Sequence, residues 1–565
     1  MKPSSTDPSL ATRSVRIYDT TLRDGTQREG ISLSAADKIR IAKVLDRIGF
    51  AYLELGWPGS NPKDVEVFER ARDVAWASAS VAAFGATCRA GIPAAEDPQV
   101  AALVATHAPV CTIFGKTSLL HVREVLRISP DENLRMIADT VAYLVSQGRR
   151  VVYDGEHFFD GYSLDSSYAL ETVRAAARAG AEAVVLCDTN GGSLPWDIEE
   201  RTREVVAAVG GNGGTVVGIH THDDAGCGVA NALAGVRAGA RQIQGTINGY
   251  GERCGNANLC SIVPSLELKL GVPCLREGAL KDLTHVAREV AEIANLAPDT
   301  HAPYVGRSAF AHKGGVHVAA IRRVPRSYEH IDPALVGNRT RVVVSELSGR
   351  GNVLAKAEEY DVELAQGAEQ EVVRGVKELE AKGYAFESAE ASVALLMRRK
   401  SPTYTPPFEL VDYKVICGQR GSEEPFADAS IKIRVGGNVV HTAAEGNGPV
   451  GALDAALRKA LTSAYPEVTG IRLEDYKVRI LDSVAGTSAI VRVLIENRLG
   501  EERWTTVGAS ANVLEASWIA LVDGIEYGLQ IALAAGQNGS KRDSYKEELP
   551  AGPPGFGHHQ TKGAA

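Results

Sequence analysis

Residues 15–49 read VRIYDTTLRDGTQREGISLSAADKIRIAKVLDRIG. An apolar run of strand length opens the segment, a polar loop follows, and an amphipathic helix closes it. Ser34 stands where an N-cap belongs and Gly49 where a helix commonly ends. The unit recurs. Strand-like runs begin at Val15, Ala51, Ala79, Val110, Arg150, Ala183, Val216 and Gln242, with helical patterns between them, such as SSYALETVRAAARAG ending at Gly180. Eight strand–helix units predict an α/β fold, a TIM (β/α)8 barrel over residues 15–274. The rival is an open doubly wound sheet, which carries a glycine-rich turn after its first strand. DTTLRDGTQ is not such a turn.

Outward from the barrel, residues 275–400 read as helical linker subdomains. They include a Gly-, His- and Arg-rich stretch, AFAHKGGVHVAAIRRVPRSYEH from Ala309 to His330, expected to reach an active site. SPTYTPP, from Ser401 to Pro407, reads as a boundary. After it a strand–turn–helix pattern occurs twice, at HTAAEGNGPVGALDAALRKAL from His441 and at WTTVGASANVLEASWIALVDG from Trp504. Residues 401–535 are therefore expected to form a pseudo-symmetric C-terminal α+β domain. The polar ends, 1–14 and 536–565, read as disordered tails.

Of the 565 residues 44% are hydrophobic and 23% charged, which excludes a chain disordered throughout. The net charge of −9, with no basic block, argues against a nucleic-acid partner. No apolar run of about 18 residues is present to span a membrane, and the N-terminus lacks the apolar core of a secretory signal. The eight cysteines are scattered and form no CxxC pair, so a reduced, cytoplasmic setting is expected.

Barrel enzymes do their chemistry at the C-terminal ends of the strands. Read strand by strand, those ends deliver Arg23 and Asp24, then Glu54, then Asp154, Glu156 and His157. Asp188, Thr189 and Asn190 follow, then His220, His222, Asp223 and Asp224, and finally Asn248, Glu252, Arg253 and Asn256. His220 and His222 stand two apart on a strand and point the same way. They are either two rim histidines or a pair of ligands. With Asp24 and Asn256 they would offer two nitrogens and two oxygens, a set suited to a divalent ion such as Mg2+, Mn2+ or Zn2+ with positions left for substrate. Arg23 is either a rim salt bridge or a stabiliser of negative charge developing beside that ion. Glu156 is either a charge partner for Arg23 or a group that orients substrate and moves a proton. The run NGYGERCGN follows a strand and precedes a helix. It is either a turn or a loop in which Asn248, Gly249, Gly251 and Gly255 hold a phosphate or carbonyl of a cofactor.

DTTLRDGTQ at Asp19, HTHDDAGCGVAN at His220 and NGYGERCGN at Asn248 resemble the signature segments of the 2-isopropylmalate synthase/homocitrate synthase family of metal-dependent acyltransferases. The likeness covers nearly the whole chain. The wording ELGWPGSNPKD, YDGEHFFDGY, CDTNGG and AHKGGVHVAAI most resembles the branch that takes pyruvate as acceptor. The resemblance implies that Asp24, His220, His222 and Asn256 hold the metal, and that Arg23 polarises a 2-oxo acid. It implies that Glu156 and Thr189 line the substrate site. His317 and Tyr328 would take part in catalysis at a partner subunit's barrel. His317 falls in GGVHVA, which lacks an aspartate of the family's segment; Tyr328 is placed by distance and context alone. The implied reaction joins acetyl-CoA, the co-substrate, to pyruvate and hydrolyses the thioester, a step toward isoleucine. The implied assembly is a homodimer with an amino-acid effector, isoleucine or leucine, on the C-terminal domain. Gly446, Gly448, Gly486 and Gly508 stand there either as ordinary turns or as points of close approach to that effector.

Rival readings keep the fold and change the chemistry. They are another acceptor (2-oxoisovalerate or 2-oxoglutarate), a lyase of the hydroxymethylglutaryl-CoA type, a metal hydrolase, and a non-catalytic sensor. The duplicated C-terminal pattern counts against the lyase, and the position of HxH on strand seven against the hydrolase.

Overall fold

In a computed structural model of the chain, residues 14–209, 214–419, 421 and 424–544 are described. Of the tails expected at 1–14 and 536–565, residues 1–13 and 545–565 lie outside them.

Eight parallel strands close into a barrel: β1 (Arg16–Asp19), β2 (Tyr52–Gly56), β3 (Ser80–Ala86), β4 (Val110–Lys116), β5 (Arg150–Glu156), β6 (Ala183–Asp188), β7 (Val216–Thr221) and β8 (Gln242–Gly245). β1 pairs with β2 on one side and β8 on the other, Asp19 standing opposite Gly245. The strands read as apolar runs rather than alternations because both faces are buried. Inside the barrel Tyr18, Tyr52, Ala82, Val110, Val152 and Val185 pack on one another. Outside, residues such as Ile17, Leu53, Ile113, Leu186 and Ile219 meet the helices. The helix Ala35–Ile48 begins as its sequence demands: Ser34 Oγ accepts the Asp37 N–H, and the Asp37 side chain accepts the Ser34 N–H in return, a reciprocal cap. It ends at Gly49 with φ 95°, where a side chain would be strained.

Residues 275–400 do not form a unit of their own. Residues 1–311 with 329–341 make one compact unit, and residues 312–328 with 342–565 make a second. The boundary expected at Ser401 is not a break in packing: Ser392 Oγ donates to Asp523 at 2.9 Å and Arg399 pairs with both Asp523 and Glu526 at 2.7 Å.

Within the second unit the duplication is structural. Antiparallel strands Glu409–Gly418, Phe426–Val435 and Asn438–Gly446 precede the helix Pro449–Leu461. Strands Arg472–Ile480, Val491–Leu499 and Glu502–Ser510 precede the helix Val513–Ser544. A register irregularity between Leu410 and Asp412 recurs between Leu473 and Asp475. Gly446 and Gly508 are there for packing. A Cβ would lie 2.3 Å from the Ala452 nitrogen at the first and 2.0 Å from the Ala516 oxygen at the second, so each lets its helix approach the sheet. Gly448 and Gly486 meet nothing within 4 Å. The last helix runs past residue 535 to Ser544, into the stretch read as tail. No helix among the described residues is long and apolar enough to cross a membrane.

Candidate metal centre and active site

Four of the expected rim residues converge. His220 in β7 and His222 just past its end bring their Nε2 atoms to 3.1 Å from each other. Asp24 reaches them from the loop after β1, its Oδ2 lying 3.4 Å from His220 Nε2 and 3.8 Å from His222 Nε2. Asn256 arrives from the loop after β8, donating from Nδ2 to Asp24 Oδ2 at 2.7 Å. All four are buried.

The electrostatics favour a cation. Burial would raise the Asp24 carboxyl, but Arg23, both imidazoles and the Asn256 amide outweigh it and bring it down to about 2. Burial, with His220 close by, lowers His222 to about 4, so its ring is neutral and can ligate at neutral pH. Asn256 Oδ1 is buried without a hydrogen-bond partner. Turning that amide over would put its oxygen where its nitrogen now meets Asp24, the orientation a cation would require. Asp24, His220 and His222 each offer an atom within 4.8 Å of the others. The donor set, two imidazole nitrogens, a carboxylate and an amide oxygen, fits a divalent metal.

Arg23 lies beside this cluster and is locked. Its Nε donates to Glu54 Oε1 at 2.6 Å, its Nη1 donates to Asp24 Oδ1 at 3.0 Å, and its guanidinium lies 3.6 Å from the centre of the Phe84 ring. Burial works against its charge, and Asp24 and Glu54 more than offset that. Its Nη2 makes no hydrogen bond among the described residues and is the donor left for a bound oxygen.

Glu156 is not the partner of Arg23. It pairs with Lys116 from the end of β4, and the carboxylate that holds Arg23 is the fully buried Glu54. Thr189 Oγ1 accepts the His157 N–H at 2.9 Å, and the Thr189 carbonyl accepts from Arg253 at 2.7 Å, which ties the loops of β5, β6 and β8 together. His317 and Tyr328 belong to the second unit, where their rings stack 4.1 Å apart and both side chains are exposed.

The glycine-rich loop packs around Asn256. The Gly249 and Gly255 N–H groups already donate to Thr246 and Glu252 carbonyls. A Cβ on Gly251 would sit 1.9 Å from Asn256 Oδ1, and one on Gly255 2.1 Å from the Gly249 oxygen. Asn248 ties the loop to the Ala287 carbonyl at 2.8 Å. Two of the expected phosphate donors are thus spent on shaping the loop.

Sequence reading passed over Lys116, Phe84 and Gln244 and gave Glu54 no role. A charged residue inside the otherwise apolar strand AYLELG, and glutamines at alternate positions of QIQG, were the available signals.

The chain matches the HMGL-like family over residues 14–290, a homocitrate synthase post-HMGL domain over 304–384, and the LeuA allosteric (dimerisation) domain over 387–529. It is 51% identical over 91% of its length to a protein from Geobacter sulfurreducens named (R)-citramalate synthase, covering 97% of that relative. A Synechocystis protein of the same name is 52% identical, with 92% of this chain and 96% of the relative covered. A probable 2-isopropylmalate synthase from Methanopyrus kandleri is 32% identical, with 90% and 97% covered. By a barrel with this donor set and by these relatives, the chain belongs to the (R)-citramalate synthase branch of the 2-isopropylmalate synthase/homocitrate synthase family.

Proposed function

We propose that this enzyme condenses acetyl-CoA with pyruvate and hydrolyses the thioester to give (R)-citramalate and coenzyme A. The observation that carries the reading is Arg23, fixed between Asp24 and Glu54 with one donor edge free beside the Asp24/His220/His222 cluster. The identity gap between relatives named for citramalate and the one named for 2-isopropylmalate supports pyruvate over a larger 2-oxo acid.

Asp24, His220, His222 and Asn256 would hold Mg2+ or Mn2+, with Zn2+ an alternative. Such an ion supplies Lewis acidity toward the oxygens of the 2-oxo acid. Arg23 directs its free N–H groups at the ketone oxygen, where negative charge develops as the acetyl methyl carbon adds to the ketone carbon. Glu156, paired with Lys116, and Thr189 orient the acid. His317 with Tyr328, from a partner subunit, takes the methyl proton and returns one to the new alkoxide. Water then breaks the C–S bond and releases the thiol of coenzyme A. The glycines 249, 251 and 255, with Asn248, serve the co-substrate by shaping the loop that carries Asn256.

The LeuA-type domain supports a homodimer regulated by an amino acid, with isoleucine the first candidate and leucine the second, which is in keeping with a step toward isoleucine. Eight free cysteines are in keeping with a reducing cytoplasm. The test is thiol release by metal-stripped protein given back Mg2+ or Mn2+ and supplied separately with pyruvate, 2-oxoisovalerate and 2-oxoglutarate. Release that requires both metal and pyruvate is expected. Preference for a larger acid would keep the chemistry and change the product, and no release with any acid would end the reading.

A further inference from the structure

The reaction proposed above leaves one step without a residue, the activation of the water that breaks the C–S bond. An unused pair of histidines stands on the reaction rim of the barrel. His157, directly after β5, and His121, in the loop after β4, stack their rings 4.0 Å apart at an angle of 14°. The two loops approach closely. A Cβ on Gly161 would lie 2.6 Å from the Thr117 carbonyl oxygen, so glycine lets the short helix Phe158–Leu164 meet the loop after β4. His157 is held at φ 59° and ψ 34°, a left-handed conformation that strains a residue with a side chain. Such strain collects at functional sites.

The surroundings of the His157 ring are those of a general base. Its Nδ1 is buried and lies 3.5 Å from Asp160 Oδ2, which also accepts from Asn190 Nδ2 at 2.8 Å. A carboxylate fixed by a second group and turned toward one imidazole nitrogen sets the tautomer, and it steadies the charge gained at the other nitrogen. The distance is longer than a hydrogen bond, as catalytic contacts often are before substrate binds. Nε2 makes no hydrogen bond among the described residues and is the edge left for a water. His121 supplies a ring rather than a charge. Burial disfavours its protonation, and His157 and Lys116 disfavour it further, against the pull of Glu156 and Asp160. Of the two rings, the one beside Asp160 is placed to take a proton.

The pair also adjoins the groups assigned to substrate. Glu156 precedes His157 in the chain, and the His157 N–H donates to Thr189 Oγ1 at 2.9 Å. The Thr189 carbonyl accepts from Arg253, whose Nη2 lies 3.3 Å from His222 Nδ1. Two residues thus join His157 to the metal cluster. We propose that His157 is the general base of thioester hydrolysis, with Asp160 and His121 as its positioning residues. A water gives a proton to His157 Nε2 as its oxygen adds to the thioester carbonyl carbon. The C–S bond breaks with its electron pair on sulfur, His157 returns the proton to that sulfur, and the acid formed ionises to solvent. The inference rests on the condensation reading above.

The test uses the full-length protein with metal saturating, acetyl-CoA and excess pyruvate. Quenched samples are resolved into free coenzyme A and the citramalyl thioester. His157→Asn removes the base and keeps a residue that tolerates positive φ. Thiol release should fall at least 100-fold, within the range for a lost general base, while the citramalyl thioester accumulates on the enzyme. Asp160→Asn should slow release at least tenfold with the same accumulation, and it decides the matter if His157→Asn does not fold. Release at the wild-type rate would overturn the assignment. So would slow release with no thioester accumulating, which would put His157 in the condensation or in the framework alone. A wild type that formed neither thioester nor free thiol would instead end the condensation reading, and this inference with it.

Discussion

Gln244 presents its amide oxygen to Nδ1 of His220 at 2.8 Å, while its own Nε2 donates to Asp154 Oδ1, also at 2.8 Å. The amide is thereby oriented from behind, and His220 must carry its proton on Nδ1. The Nε2 lone pair then faces Asp24 and His222, where a ligand is wanted. His222 has no such support. Its Nδ1 lies 3.3 Å from Arg253 Nη2, a donor whose stronger bonds go to Asp224 and the Thr189 carbonyl.

Replacing Gln244 with Leu removes the acceptor that sets this tautomer. Metal affinity should fall by roughly 10- to 100-fold, the usual cost of losing such an outer partner. Competition with a chromophoric chelator would read it. Unaltered affinity in a variant with a native circular dichroism spectrum would show that the amide does not set the ligand.

Arg23→Lys keeps the charge and loses the fork that spans Glu54 and Asp24. The expected result is a fall in kcat of about 10²–10³, the scale for a lost donor at a developing oxyanion. KM for the 2-oxo acid should change far less. Steady-state kinetics with metal saturating would check it, and a change confined to KM would assign Arg23 to ground-state binding.

Glu54 is wholly buried and accepts from both Arg23 and Tyr18. Glu54→Ala leaves a buried guanidinium with half its partners. A loss of about 3–5 kcal/mol is expected, as for other broken buried pairs. Chemical denaturation measures this directly, and a loss under about 1 kcal/mol would mean that Asp24 suffices to hold Arg23.

Asp19 has its carboxyl raised to about 7, chiefly by burial and further by the charge on Glu54, against the Thr21 hydrogen bonds that lower it. Below the ordinary carboxyl value of 3.8 both folded and unfolded chains hold the proton, and no cost arises. As pH rises toward 7 the unfolded chain ionises first, so this group's contribution to stability falls through that window and levels off above it. Asp19→Asn removes the titration. The variant should gain on the wild type progressively from pH 4 to 7, by a few kcal/mol in all. A difference independent of pH would rule out Asp19 as the group responsible.

His317→Ala and Asp24→Asn should each inactivate the enzyme if the second unit of one subunit completes the barrel site of another. Mixing equal amounts of the two variants under subunit exchange should then restore about a quarter of the activity, because about half of the dimers are mixed and each of those holds one intact site of two. Mixtures as inactive as their parents would confine each site to a single chain.

Some of this protein is written locally. Strand and helix alternate along 15–274 at periods that any barrel of this kind must have. Ser34 caps its helix through a residue three positions away, and the HxH spacing puts two imidazoles on one face because alternate strand residues point the same way. These features depend on neighbours in the chain, and the sequence by itself determined them. It also determined the duplication after residue 401, whereas the part that Gly446 and Gly508 play in letting each helix approach its sheet came from the packing.

Other features belong to the tertiary structure alone. Glu156 pairs with Lys116 rather than Arg23 because parallel pairing sets the ends of β4 and β5 side by side, Lys116 opposite Glu156. Gln244 reaches Asp154 across the barrel interior, and Glu54 reaches Arg23 because β2 follows β1 around the ring. The linker divides between two units because its packing partners lie far from it in sequence. In each case the deciding quantity is a contact between distant residues, set by strand register and barrel closure, and no local pattern encodes which charge will meet which.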